Sequence, residues 1–77
     1  MTVQVFAVLK DYFDKEFKPE GSFTTIAALK QHLTEKNPEA AGVLDLCRFA
    51  VHDEFVDPDF TLNPNDIISV IPPSSGG

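Results

Sequence analysis

Thr24-Thr25-Ile26-Ala27-Ala28-Leu29-Lys30-Gln31-His32-Leu33-Thr34-Glu35-Lys36-Asn37-Pro38 is the clearest periodic segment of the chain. Ile26, Leu29 and Leu33 recur at the spacing of one helix face, with Lys30, Gln31, Thr34 and Glu35 on the other side. Thr24 suits the cap that accepts the first free amide, and Phe23 before it suits a hydrophobic staple. Asn37 fits a left-handed residue after the last turn, and Pro38 blocks further winding. The spacing predicts a helix over 25–36.

On the N-terminal side, Thr2 to Leu9 begins as an alternation of Thr2 and Gln4 with Val3 and Val5, then turns almost wholly apolar. This is a strand signal that puts Val3, Val5 and Ala7 toward a core and leaves Phe6 and Val8 facing outward. A weaker strand over 15–18 follows the turn at Asp11–Asp14, and Pro19-Glu20-Gly21 closes it.

On the C-terminal side, 38–45 reads as a loop or short helical turn. Leu46 to His52 reads as a strand, Asp53-Glu54 as a turn, and Phe55-Val56 as the returning strand. Asn63-Pro64-Asn65-Asp66 is a turn in which proline presets φ. Ile67 to Ile71 is the last strand, stopped by Pro72-Pro73, which remove two ladder donors in succession. The order is strand, strand, helix, strand, short strand, strand. One helix crossing a face of a mixed sheet is an α+β arrangement, and in this order and length it matches the β-grasp fold of ubiquitin. The division expected is a domain over 1–71 and a tail over 72–77.

A chain of 77 residues with 43% apolar residues and seven Phe supports one small core. Twelve acidic residues against six basic give a net charge of −6. That disfavours a nucleic-acid or anionic-membrane partner, since both need clustered lysine and arginine. No apolar run approaches a membrane span, and the N-terminus lacks the pattern of a signal peptide, so a cytoplasmic location is expected.

Catalytic constellations are missing from the sequence. Cys47 is the single cysteine and lies in an apolar run, the setting of a buried, inert thiol. His32 and His52 have no metal-ligand neighbours at the required spacing. Ser74 and Ser75 have no base nearby. Asp53, Glu54, Asp57 and Asp59 lack the glycine and order of a calcium loop and read as a solvated edge. The chain is therefore expected to bind no metal and no cofactor itself.

The tail remains. Gly76 and Gly77 have no side chains, so they can enter a slot too narrow for a Cβ. The terminal carboxylate of Gly77 is unhindered. Pro72 to Gly77 spans about 20 Å when extended, and the proline pair stiffens its base. Two terminal glycines arise by chance in about half a per cent of chains.

The stretch LNPNDIISVIPPSSGG, Leu62 to Gly77, resembles the end of the molybdopterin synthase small subunit family, MoaD. That family closes with an apolar strand, a Pro-Pro pair, two variable residues and Gly-Gly. The similarity runs more loosely through Phe6-Ala7, the helix near Leu29 and Leu33, and the hairpin from Val51 to Val56. Asn65 departs from a usual glycine before Asp66, where a positive φ would be tolerated by asparagine. His52 departs from a common asparagine, which leaves the hairpin cap open.

The resemblance implies that the Gly77 carboxylate is adenylated by an ubiquitin-activating-type enzyme using ATP and magnesium. A sulfur-donating persulfide protein then converts it to a thiocarboxylate. The loaded tail, Ser74, Ser75, Gly76 and Gly77 aimed by Pro72 and Pro73, enters the large subunit of molybdopterin synthase. There it gives sulfur to a cyclic pyranopterin precursor. The chain would be a sulfur-donating subunit and not an enzyme alone. Because the first and last strands are neighbours in this fold, Phe6, Val8, Ile67 and Ile71 are expected to form an apolar docking patch at the root of the tail. The opposite phase would bury Phe6 in the core. Other readings are a sulfur carrier for thiamine, cysteine or tRNA thiolation, a modifier conjugated to lysines, and a plain interaction module.

Overall fold

Alternation of apolar and polar residues in the first and last strands gives each one face for a core and one for an opposing surface. In a computed structural model, which describes residues 1–73, these two strands pair in parallel at the middle of a five-stranded sheet. The strands are β1 (Thr2–Val5), β2 (Glu16–Phe17), β3 (Arg48–Val51), β4 (Glu54–Val56) and β5 (Ile67–Ile71), in the order β2-β1-β5-β3-β4. All other pairings are antiparallel. A parallel pair requires a long crossover, and the chain between β1 and β5 provides it with a helix, α1 (Ile26–Lys36).

Val3 and Val5 of β1, Ile68 and Val70 of β5, and Phe49 and Val51 of β3 point to one side, where Ile26, Leu29 and Leu33 of α1 pack on them. Leu9, Phe13, Leu44 and Leu62 close the ends of this core. Each fully buried leucine contributes enough that truncation to alanine costs about 2–5 kcal/mol.

The helix begins one residue later than its sequence suggests. Thr25, and not Thr24, is the cap: its Oγ1 accepts the Ala28 amide at 3.2 Å. Thr24 lies at a bend, its carbonyl already accepting the Leu62 amide at 2.8 Å and so unable to take the first helical amide. At the far end Asn37 is not left-handed. Its φ is −141°, and its side chain donates to the Tyr12 carbonyl while accepting the Glu39 amide. Of the loop or short helical turn expected over 38–45, the structure has the helical form: a short 3-10 turn (Pro38–Ala40) and a second helix, α2 (Ala41–Leu46). Burial of Ala40 and Leu44 against α1 supplies the reason. Leu46 therefore ends a helix, exposed, and the strand starts only at Arg48.

The first strand also stops early, at Val5. A 3-10 helix (Ala7–Asp11) follows and swings Leu9 into the core. Ala7 enters it with φ at 53° and is exposed, so it does not face the core as strand alternation would have it. The β3–β4 turn is at His52–Asp53, not Asp53-Glu54, with Val51 opposite Glu54. Both turn residues have positive φ, 50° and 69°. That is the twist a two-residue hairpin demands, and it is normally met by asparagine or glycine. Asn65 has no positive φ, and the Asn63–Asp66 turn, closed by the Asp66 amide on the Asn63 carbonyl at 3.0 Å, therefore needs no glycine there.

Asp53 thus holds a left-handed conformation that costs an L-residue more than glycine. Asp53→Gly is expected to raise stability by about 0.5–1 kcal/mol, after allowing for the freer unfolded chain. A shift of the urea midpoint to higher concentration at unchanged slope is the measurement.

Candidate functional site

The parallel register sets the site. Thr2 pairs with Ile67 and Val5 with Val70, so Phe6 follows beside Ile71 at the exit end of β5. On the other flank Arg48 of β3 pairs directly with Ile71. Alternation turns Phe6, Ile67 and Ile71 to the face opposite α1. Phe6 is 43% and Ile67 44% exposed, while Ile71 is half-buried. The outward phase expected for Phe6 is the one the structure adopts.

Val8 is 45% exposed, but it sits on the 3-10 helix beyond β1, where strand alternation no longer assigns it to the sheet face. Its place in the patch by strand neighbourhood is therefore corrected. Two other residues belong to this face. Phe55, 53% exposed, lies opposite Ala50 in the β3–β4 register, and Arg48 stacks over its ring at 3.8 Å from the centroid. Ala50 is buried although it is no part of the core cluster, since it lies low between Ser69 and Phe55 in the register. A turn at Asp53-Glu54 would pair Phe55 with His52, which shares the outer face with Ala50, so the displacement of the turn leaves Phe55 on the same side.

β5 ends at Ile71, and Pro72 and Pro73 follow it, half-buried and exposed respectively. Ser74, Ser75, Gly76 and Gly77, which carry the predicted chemistry, lie outside the described residues.

The opposite end of β5 is held by polar contacts. Asp66 is 6% exposed; its Oδ2 accepts the Asn63 amide at 2.8 Å, and its Oδ1 lies 3.0 Å from His52 Nε2. The Asn63 amide, against the opposing effect of burial and with help from His52, holds this carboxyl below its ordinary range. The N-terminal amine of Met1 donates to the Pro64 carbonyl, and the Thr2 amide donates to the carbonyl of Asp66. These contacts give His52 a structural partner across two turns.

The remaining candidate groups lie elsewhere. Cys47 is half-buried, its Sγ 3.1 Å from the Val43 carbonyl, and burial raises its pKa. That suits an inert thiol. His32 rests against Phe23 with ring centroids 4.7 Å apart, far from the tail's root in the sheet. Among the described residues no three His, Cys, Asp or Glu side chains gather as metal ligands, and no helix is long and apolar enough to cross a membrane.

Comparison with known proteins places this geometry. The ThiS family profile matches residues 3–77. A molybdopterin synthase sulfur carrier subunit from Dictyostelium discoideum is 35% identical over 68 residues, covering 86% of this chain and 74% of that protein. Among solved structures, the complex of subunits 1 and 2 of molybdopterin-converting factor from Helicobacter pylori contains a chain that superposes with a TM-score of 0.72 at 23% identity. The match covers 99% of this chain and 96% of that one. SAMP1 from Haloferax volcanii superposes at 0.80 with 17% identity, covering 99% and 97%. The structural likenesses establish the ubiquitin-like β-grasp fold. The chain belongs to the ThiS family.

Ionised Asp66 has a depressed pKa in the folded state, so its contribution is complete above the ordinary carboxylate value of about 3.9 and is lost as pH falls through the folded value. Asp66→Ala leaves the Asn63 amide unpaired and is expected to cost about 1–3 kcal/mol at neutral pH. The difference from the parent should shrink below about pH 4, read from urea unfolding at a series of acidic pH values.

Proposed function

We propose that this member of the ThiS family is the sulfur-carrying small subunit of molybdopterin synthase, working through the Gly77 carboxylate. The observation that carries this reading is the central position of β5 and its direct run into Pro72-Pro73. The last strand is the best-anchored strand of the sheet, and whatever follows Pro73 starts from a fixed point beside Phe6 and Ile71. The family match extending through Gly77 and the 35% identical carrier subunit from Dictyostelium discoideum support the same reading.

In the proposed reaction a carboxylate oxygen of Gly77 attacks the α-phosphorus of ATP on a ubiquitin-activating-type enzyme, and pyrophosphate leaves. Magnesium, held by that enzyme with the nucleotide, offsets the phosphate charge. The acyl adenylate is electrophilic at its carbonyl carbon. The terminal sulfur of a persulfide protein adds there and AMP departs. A thiol then cleaves the S–S bond, which leaves the thiocarboxylate. The loaded tail gives its sulfur to a cyclic pyranopterin precursor in the large subunit, and water restores the carboxylate. This chain supplies the reactive end and the handle; its partners supply the bases, the nucleotide site and the substrate pocket. Gly76 keeps the arm narrow, Pro72 and Pro73 direct it, and Ser74 and Ser75 give it length.

The docking handle is the outer sheet face with Phe6, Ile67 and Ile71, together with Phe55. Exposed aromatic and branched residues on one face are costly in water and characteristic of an interface. The H. pylori neighbour is by name a complex of subunits 1 and 2, in keeping with a large-subunit partner.

Incubation with the adenylating enzyme, ATP, magnesium and a persulfide donor is expected to raise the intact mass by the sulfur-for-oxygen difference, about 16 Da, localised to Gly77. An unchanged mass with an active enzyme would remove the carrier reading, and isopeptide adducts on lysines in its place would indicate a protein modifier. Phe6→Asp is expected to keep the fold, as judged by circular dichroism, and to weaken binding to the large subunit by about 2 kcal/mol or more. Unfolding of that variant would mean that Phe6 serves the core.

A further inference from the structure

Arg48 is the single arginine of the chain, and it stands on the outer sheet face directly opposite Ile71. Its guanidinium lies 3.8 Å from the centroid of the Phe55 ring. Stacking of this kind occupies the flat face of the guanidinium and leaves its in-plane N–H groups open. Among the described residues none of the carboxylates takes them: the two ion pairs present are Lys30–Asp45 and His52–Asp66. Even Asp57, which continues the β3–β4 register to the position opposite Arg48, forms no ion pair with it.

A cation restrained over the Phe55 ring and paired in register with Ile71, on a chain of net charge −6, is oddly placed for solubility alone. An apolar partner surface laid over it would strip the guanidinium of water with nothing in return, which is strongly unfavourable. A carboxylate at the same place would find a planar, pre-ordered fork of donors.

We propose that Arg48 is a specificity-determining residue of the docking face, receiving an Asp or Glu side chain of the molybdopterin synthase large subunit. The proposal rests on the docking reading above. The acidic surface of this chain repels that carboxylate elsewhere, so a single orientation of the two proteins is favoured. Because Arg48 pairs with Ile71 and Pro72 follows at once, orientation fixed at the arginine is passed straight to the arm. Phe6 supplies area to the interface, whereas Arg48 supplies sign and direction.

Calorimetric titration of the large subunit from the same organism with the full chain, at low and high salt, tests this. Arg48→Gln is expected to weaken binding by about tenfold or more and to reduce its salt dependence, with Arg48→Lys recovering only part. Arg48→Glu is expected to lose binding and to regain it when one acidic residue of the large subunit is changed to lysine. Unchanged affinity of Arg48→Gln beside normal parent binding would overturn the proposal and leave the docking face standing. Weakened binding with the parent's salt dependence would reduce Arg48 to packing over Phe55 and overturn it too. Failure of the parent itself to bind would remove the docking reading, and this proposal with it.

Discussion

Parallel pairing of β1 with β5 is the constraint on which the rest of the molecule depends. It places the last strand of the chain between two others, so its ladder groups are satisfied on both sides. Edge strands fray and invite foreign pairing; a central strand does neither. The pairing also forces a crossover, and the crossover contains α1, whose Ile26, Leu29 and Leu33 cover the inner face. One register therefore decides the core, the position of the helix and the point where the chain leaves the sheet.

Much of this was legible because the relevant signals are local. The 3.6-residue spacing of Ile26, Leu29 and Leu33 needs no tertiary knowledge, and neither does the stop that Pro72-Pro73 put on β5. The departures have in common that the packing or pairing of another segment overrides a local signal. Thr24 looked like a cap, but the Leu62 amide occupies its carbonyl and the helix starts after Thr25. Ala7 continued an apolar run, yet the chain coils after Val5, and Leu9 is buried from a 3-10 helix while Ala7 is exposed. His52 and Asp53 tolerate positive φ less readily than glycine, and the twist of β3 and β4 imposes it. The site was legible in the same measure. Phe6, Ile67 and Ile71 followed from alternation, whereas the stacking of Arg48 on Phe55 is a contact between two strands that no single-strand pattern contains.

The two ends of β5 are built in opposite ways. At its start, Asp66 gathers the Asn63 amide and the His52 ring, and its backbone carbonyl takes the Thr2 amide. This ties together the beginnings of β1 and β5 and the β3–β4 turn, and it fixes the register of three strands at once. A slip of one residue would turn Phe6 and Ile71 inward and Val5 and Val70 outward, so the polar cluster at one end protects the apolar face at the other.

Under the proposed function, in which the Gly77 carboxylate is the reactive group, that separation has a consequence for partner binding. Interactions that hold the fold and interactions that bind partners would compete if they shared residues, since each change in one would disturb the other. Here the inner sheet face and the Asp66 cluster carry stability, while the outer face at the Ile71 end carries exposed Phe6, Phe55 and the stacked Arg48. The outer face can therefore change its charge or shape to suit one partner with little effect on folding. An arginine held by cation–π stacking extends that logic. The ring fixes the guanidinium without consuming its hydrogen-bond donors, so the direction of the charge is set before any partner arrives.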